Sequence, residues 1–366
     1  MKASRTRRGT KALSIVGARP NFVKLAPVHR SIIEHFEHIV VHTGQHYDYK
    51  MSRIFFQNLR LPDPDYNLAV GSGGHGRQTG EMMKRLETIL LREKPRVVLV
   101  YGDTNSTLAG ALAAAKLRLP VAHVEAGLRN FDMKMPEEVN RVVTDHVSTY
   151  LLAPTENAIR NLRRERCWGK VFLTGDVMAQ VLKESIHVAE RDSGVLKRLD
   201  VDTGDYVLAT VHRAENTDDP VKLSNIVKAM TAAEKKIVFP VHPRTKKALR
   251  KYGLHGKLSS CDRLVMTEPL GYLDFIMLEK NAQKILTDSG GVQREAYLLG
   301  VPCVTLRTNT EWVETLRAGW NVLVGADVDK ITHALRRFNP TRPKRGTLLK
   351  EKPSEKIVKI LSRELN

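Results

Sequence analysis

The chain has 366 residues, more than one ordinary hydrophobic core holds, and its length predicts two domains. Hydrophobic residues make up 42% of it and charged residues 27%, a globular composition, and no apolar run reaches the roughly 20 residues of a membrane span, which excludes a membrane partner. The formal charge of +19 invites a nucleic-acid partner, but the cations are spread along helical stretches without interleaved aromatics, so solvated helix faces and a small anionic ligand account for them.

In chain order, Ala12 to Val16 is a buried-strand run closed by Gly17-Ala18-Arg19-Pro20, and a helix carrying Lys24, Leu25, Val28 and Ile32 follows. Arg19 and Lys24 therefore stand at the carboxyl end of a first strand, where open α/β sheets bind ligands. His38 to His42 predicts the second strand, followed by a polar loop and a helix over residues 51–59. A glycine-rich loop over residues 70–76 leads into a helix from Gln78 to Leu91; it suits either a ligand cover or a plain linker. Strands then end at Gly102-Asp103-Thr104 and at Glu125-Ala126-Gly127-Leu128-Arg129, and Pro136-Glu137-Glu138 opens a helix with proline in its tolerated first turn. Repeated strand–helix alternation predicts a parallel, doubly wound sheet.

From about Asp200 the pattern begins afresh, with strands ending at His212-Arg213-Ala214-Glu215-Asn216, at His242-Pro243-Arg244 and at Asp288-Ser289-Gly290-Gly291. In the last of these, strand, glycine turn and helix point backbone N–H groups and a helix N-terminus at an anion. Gly290 and Gly291 would let the main chain approach a phosphate, Ser289 would add a hydroxyl, and Glu295 would accept from a ribose. Residues 340–351, rich in Pro, Lys and Arg, predict a connector to a last helix over residues 354–365. The basic start without an apolar signal core predicts a cytoplasmic location. Cys167, Cys261 and Cys303 are isolated and odd in number, which suggests neither a disulfide framework nor a zinc cluster.

Polar residues thus sit at strand carboxyl ends in both halves: Arg19, Asp103, Glu125 and Glu137 in the first, His212, His242 and Ser289 in the second. Two such sheets facing each other would bring them into one interdomain cleft. Taken singly, an Asp after a strand suits a helix cap equally well, Glu137 suits a helix dipole, and His242 before a proline suits a structural turn. Together, several acids, a histidine and a phosphate cradle suggest acid–base chemistry on a phosphorylated ligand.

The ordered set Gly17-Ala18-Arg19-Pro20 with Lys24, Gly102-Asp103-Thr104, His123 to Arg129, Pro136-Glu137-Glu138 with Asn140-Arg141, His212 to Asn216, and Asp288 to Gln293 resembles the non-hydrolysing UDP-N-acetylglucosamine 2-epimerases. The likeness runs from about Leu13 to Val324. It implies an α/β, GT-B-like fold of two Rossmann-like domains with the active site in the interdomain cleft: residues 1–176, with the helix 354–366 packed back on them, and residues 177–350 for UDP binding. It also implies a UDP-sugar substrate, no cofactor, no metal, and a homodimer. The implied reaction interconverts UDP-GlcNAc and UDP-ManNAc through UDP elimination to 2-acetamidoglucal and re-addition.

By the same resemblance, Asp103, Glu125 and Glu137 are the proton-transfer and orienting carboxylates, and His212 supports UDP departure. Arg19, Lys24, Arg213 and His242 line the substrate. Ser289, Gly290 and Gly291 hold the diphosphate, Glu295 the ribose, and Leu270 and Phe275 the uracil. One departure stands out: Thr310-Glu311-Trp312-Val313-Glu314 has Trp312 where the family commonly has arginine. A branch with tryptophan there includes 2-epimerases of UDP-2,3-diacetamido-2,3-dideoxy-glucuronic acid, the alternative substrate. A GT-B glycosyltransferase would need the phosphate turn but not the paired acids of the first half.

Overall fold

A computed structural model describes residues 9–45, 61–340 and 352–365; the helix expected over 51–59 and the connector expected over 341–351 lie outside the described residues. The chain divides into two compact units, Met1–Val181 with Leu349–Asn366, and Leu182–Leu348. The first unit holds β1 (Lys11–Val16), β2 (Glu37–His42), β3 (Tyr66–Asn67), β4 (Val97–Tyr101), β5 (Val121–Val124), β6 (Tyr150–Ala153) and β7 (Lys170–Leu173) in the order β3-β2-β1-β4-β5-β6-β7. The second holds β8 (Tyr206–Thr210), β9 (Lys236–Pro240), β10 (Leu264–Thr267), β11 (Lys284–Thr287), β12 (Cys303–Thr305) and β13 (Asn321–Leu323) in the order β10-β9-β8-β11-β12-β13. Every pairing in both sheets is parallel. Both sheets reverse direction between their first and fourth strands, β1 and β4 in one, β8 and β11 in the other, and that switch point is where doubly wound sheets open a binding crevice.

The strands are parallel because helices cover both faces, and their sequences show it. Val97–Tyr101 is apolar and buried at every position, as a strand covered on two sides must be. In the second unit, Val207, Ala209 and Val211 face one core with Ile226 and Leu249, while Tyr206 and Leu208 face another with Leu278 and Ala296. In the first, Leu13, Ile15, Val98 and Val100 pack against Met82 and Leu86 of the helix His75–Glu93 and the alanines of the helix Asn105–Lys116. Local chemistry starts the helices: the Thr104 side chain accepts from the Thr107 amide, the Asp219 side chain from the Val221 and Lys222 amides, and Pro136, Pro220, Pro243 and Pro353 occupy first-turn positions.

A polar chain runs through the first sheet. Ser14 Oγ lies 2.8 Å from the Tyr101 hydroxyl and 2.8 Å from His38 Nε2, and His38 Nδ1 lies 2.9 Å from His29 Nδ1. Burial, with His29 adding to it, pushes the His38 imidazole down to about 3. The last helix, Pro353–Glu364, returns to the first unit and lies on the helix Arg19–Ile32. Its Ile357 and Leu361 are fully buried, and Ser354 Oγ sits 2.9 Å from Ser31 Oγ and accepts from Gln180 at 3.0 Å. Among the described residues, no helix is long and apolar enough to cross a membrane.

Candidate active site

In the first unit, charged groups gather around Lys24. This residue projects from the helix Arg19–Ile32, and its ammonium pairs with Glu125 Oε2 at the end of β5. Glu125 adopts φ +76°, a left-handed conformation that costs a side-chain-bearing residue about 1–2 kcal/mol. Its amide and that of Ala126 both bond the Leu152 carbonyl, at 3.1 and 3.2 Å, so the strand-end geometry holds the strain in place. Strain of this kind gathers at functional positions. Gly102 completes the pocket at the end of β4: it has φ +67°, and a Cβ there would stand 2.7 Å from Lys24 Nζ and 3.2 Å from Glu125 Oε2. Only glycine lets the ion pair lie against the backbone.

Asp103 follows Gly102 and is oriented by the helix Pro136–Val147. Arg141 Nη2 donates to its carboxylate at 2.5 Å, and Asn140 donates to its carbonyl at 2.8 Å. The other arm of Arg141 holds Glu138 at 2.8 Å, and Glu138 in turn accepts from the Phe131 amide at 2.9 Å. Glu137 is half-buried and stands four residues before Arg141, hence on the same helix face. Burial pushes the Glu125 carboxyl above the usual carboxylate range; Lys24 opposes the rise, whereas Asp176 and Asp103 add to it. Burial also acts against the Lys24 charge, but the fields of Glu125, Asp103 and Asp176 reverse its effect, so the ammonium persists.

Behind this group lies a buried polar chain. His123 Nε2 donates to the Gly102 carbonyl at 2.7 Å and its Nδ1 faces Asp145 at 2.6 Å. Asp145 also accepts from the Gly127 amide at 3.0 Å and pairs with Arg129 at 2.8 Å. The turns that carry Asp103 and Glu125 are thus fixed from below by one carboxylate.

The second unit builds its strand ends differently. Asp288, fully buried after β11, accepts from the backbone amides of His212 at 3.1 Å and Arg213 at 3.0 Å, and from Asn216 Nδ2 at 3.1 Å. It thereby folds the turn after β8 and places the His212 ring 5.5 Å from the His242 ring. His242 caps the helix Pro243–Lys251, its ring accepting from the Arg244 amide at 3.2 Å. Ser289 caps the helix Gly290–Leu299 through the Val292 amide, and Gly290 and Gly291 form that helix's first turn, the geometry that favours an anion. A Cβ on Gly290 would meet Glu311 Oε1 at 1.9 Å, and Arg307 holds that carboxylate at 2.9 Å. Glu295 is buried and accepts from the Tyr272 hydroxyl at 3.2 Å, while Leu270 and Phe275 pack against the core around Tyr206 and Leu208. Trp312 is buried, with the Arg294 guanidinium 4.8 Å over its ring.

Of the residues singled out in the sequence, the structure joins Lys24, Asp103 and Glu125 in the first unit, and His212, His242 and Ser289 with its glycines around the ends of β8, β9 and β11 in the second. Arg19 begins its helix, and its side chain lies outside the described residues. Sequence reasoning quoted Asp288 and Arg141 within its motifs without giving them a role, and it did not single out Asp176. The four-residue spacing of Glu137 and Arg141 was the available signal for one of them.

Residues 30–362 match the family model described as UDP-N-acetylglucosamine 2-epimerase. The chain belongs to the UDP-N-acetylglucosamine 2-epimerase family. It is therefore an isomerase by family, and its fold is GT-B-like. A UDP-N-acetylglucosamine 2-epimerase homolog of Methanococcus maripaludis is 56% identical over 96% of this chain and 99% of the relative. The UDP-2,3-diacetamido-2,3-dideoxy-D-glucuronate 2-epimerase of Pseudomonas aeruginosa is 48% identical over 89% of this chain and 91% of its own. The crystal structure of the Methanocaldococcus jannaschii UDP-GlcNAc 2-epimerase in complex with UDP-GlcNAc and UDP superposes with a TM-score of 0.89 at 47% identity, covering 97% of this chain and 100% of that one.

Proposed function

We propose that the chain reversibly epimerises UDP-GlcNAc to UDP-ManNAc at C2, by eliminating UDP to 2-acetamidoglucal and adding it back. The observation that carries this reading is the strained, desolvated Glu125 carboxylate held beside Lys24 with Asp103 close by. A C2 hydrogen is barely acidic, so its removal needs a positioned base whose affinity for protons has been raised, which burial does for Glu125. As the C2–H bond breaks, its electron pair forms the C1–C2 double bond, and the C1–O pair leaves with UDP. Return of a proton to the opposite face of C2 and of UDP to C1 gives the other epimer. Two faces require two proton-transfer groups, and Asp103 or Glu137 serves the face that Glu125 does not.

In this reading the second unit stabilises the departing UDP. The helix N-terminus at Ser289, Gly290 and Gly291 takes the diphosphate, Glu295 the ribose, and Leu270 and Phe275 the uracil. His212, held by Asp288, supports departure, and Arg19, Arg213 and His242 complete the substrate contacts. The proposal includes a cytoplasmic homodimer that supplies surface polysaccharide or glycoconjugate synthesis. A second reading, epimerisation of UDP-2,3-diacetamido-2,3-dideoxy-glucuronic acid, is favoured by the 48% identical Pseudomonas aeruginosa relative and by Trp312.

Proton NMR of UDP-GlcNAc incubated with the protein in D₂O tests both. Formation of UDP-ManNAc with deuterium at C2 of both epimers is expected. Absence of exchange by protein that binds UDP, with exchange on the diacetamido-uronic acid substrate, would replace the first reading with the second.

A further inference from the structure

Three side chains of metal-ligating type meet on the first unit, away from the Lys24 cluster. His146 stands in the last turn of the helix Pro136–Val147, and Glu165 and Cys167 follow the helix Glu156–Arg164. One ligand atom from each lies within 4.8 Å of the other two. Cys167 Sγ is 3.9 Å from His146 Nδ1 and 4.0 Å from Nε2. Sulfur and nitrogen on one tetrahedral zinc ion stand about 3.5 Å apart, and the sulfur is nearly equidistant from the two ring nitrogens, so the exposed imidazole must turn away from Val142 to aim Nε2 at a shared ion.

Each of the three is held by a second group, as metal ligands usually are. His146 Nδ1 donates to the Val142 carbonyl at 2.9 Å, which leaves the lone pair on Nε2, and the Trp168 indole donates to the His146 carbonyl at 2.8 Å. Arg129, almost fully buried, grips both Glu165 oxygens at 2.9 and 2.7 Å, and each oxygen keeps a further lone pair. Cys167 is fixed by its own backbone: its amide bonds the Leu162 carbonyl at 3.1 Å and that of Arg166 bonds the Arg163 carbonyl at 3.1 Å. This is the closing pattern of a helix end that usually places glycine in the left-handed position; here Arg166 takes it, with φ +54°. Charge agrees with geometry. Asp145 and Glu165 against Arg129 leave one negative charge, and a thiolate makes two, which one divalent cation neutralises.

We propose that His146 Nε2, a Glu165 oxygen and the Cys167 thiolate bind one divalent transition-metal ion of the zinc class, with water as the fourth ligand and the thiol proton released on binding. The ion clasps the ends of two helices and takes no part in proton transfer at the sugar.

The test is titration of the chelator-treated full chain with Co²⁺ under anaerobic conditions. A thiolate-to-cobalt charge-transfer band in the near ultraviolet should saturate at about one ion per chain and collapse on addition of Zn²⁺. It should vanish in Cys167→Ser, weaken at least about tenfold in affinity in His146→Gln, and persist in Cys261→Ser. Zn²⁺ should also slow alkylation of Cys167, read by peptide mass spectrometry on the unmodified protein. No band while the thiols are reduced, a band unchanged in His146→Gln or Cys167→Ser, or alkylation indifferent to Zn²⁺ would each overturn the site.

Discussion

The two sheets share one strand order over six strands, yet the strand ends around the switch point carry different kinds of group in each. After β4 and β5 of the first unit stand acidic side chains, Asp103 set against Arg141 and the buried Glu125 against Lys24. After β8 and β11 of the second stand backbone amides and helix caps, ordered by the single buried carboxylate of Asp288. The difference teaches that a doubly wound switch point is only a place. Charged side chains make it suited to moving protons, and backbone donors make it suited to holding an anion without desolvating a cation.

The comparison breaks most visibly if substitutions in the two units give the same kinetic signature. Glu125→Gln keeps the shape and removes the base, and turnover should fall about 10³-fold while UDP binding by calorimetry stays within about twofold. Gly290→Ala should do the reverse. Its methyl would displace the Glu311 carboxylate, 1.9 Å from the added Cβ, and affinity for UDP should drop about 10–100-fold with little change in turnover at saturation. Equal losses of turnover and binding in both variants would end the division of labour.

A second difference concerns acid. The first sheet pairs β1 with its neighbours over the Ser14–His38–His29 chain, whereas the second joins β8 and β11 by a Thr210–Thr287 hydroxyl bond of 2.6 Å, which does not titrate. Burial holds His38 down to about 3, so between that value and its ordinary value near 6.5 the unfolded chain binds the proton and the folded chain does not. Stability should therefore be present above pH 6.5 and be lost as pH falls, by roughly 2 kcal/mol at pH 5. Hydrogen exchange should show β1 and β2 losing protection before β8 and β9, and His38→Gln should flatten the slope. The smallest expected effect is that of Arg141→Lys. An ammonium cannot span Asp103 and Glu138 as the guanidinium does, and turnover should fall about tenfold with UDP binding intact.

Much of the site was legible because strand ends and helix starts are local. Asp103 and Glu125 follow apolar runs, Ser289 precedes a glycine pair, and proline marks the start of the helix that bears Glu137. The same local reading gave Gly290 as room for a phosphate, and the structure adds that a Cβ there would also meet Glu311. It also gave no role to Asp288, whose three donors lie more than 70 residues earlier in the chain.

By itself, then, the sequence determined the alternation of strands and helices, the turn chemistry at each strand end and the residue types gathered there. Those follow from backbone sterics, periodicity and capping, which involve near neighbours. Only the tertiary structure decided that Lys24 pairs with Glu125 across 101 positions, that Arg141 orients Asp103, and that His146 and Cys167, 21 positions apart, come within 4 Å. Such pairings depend on strand order and helix packing, and their energies depend on how much water the surrounding core excludes.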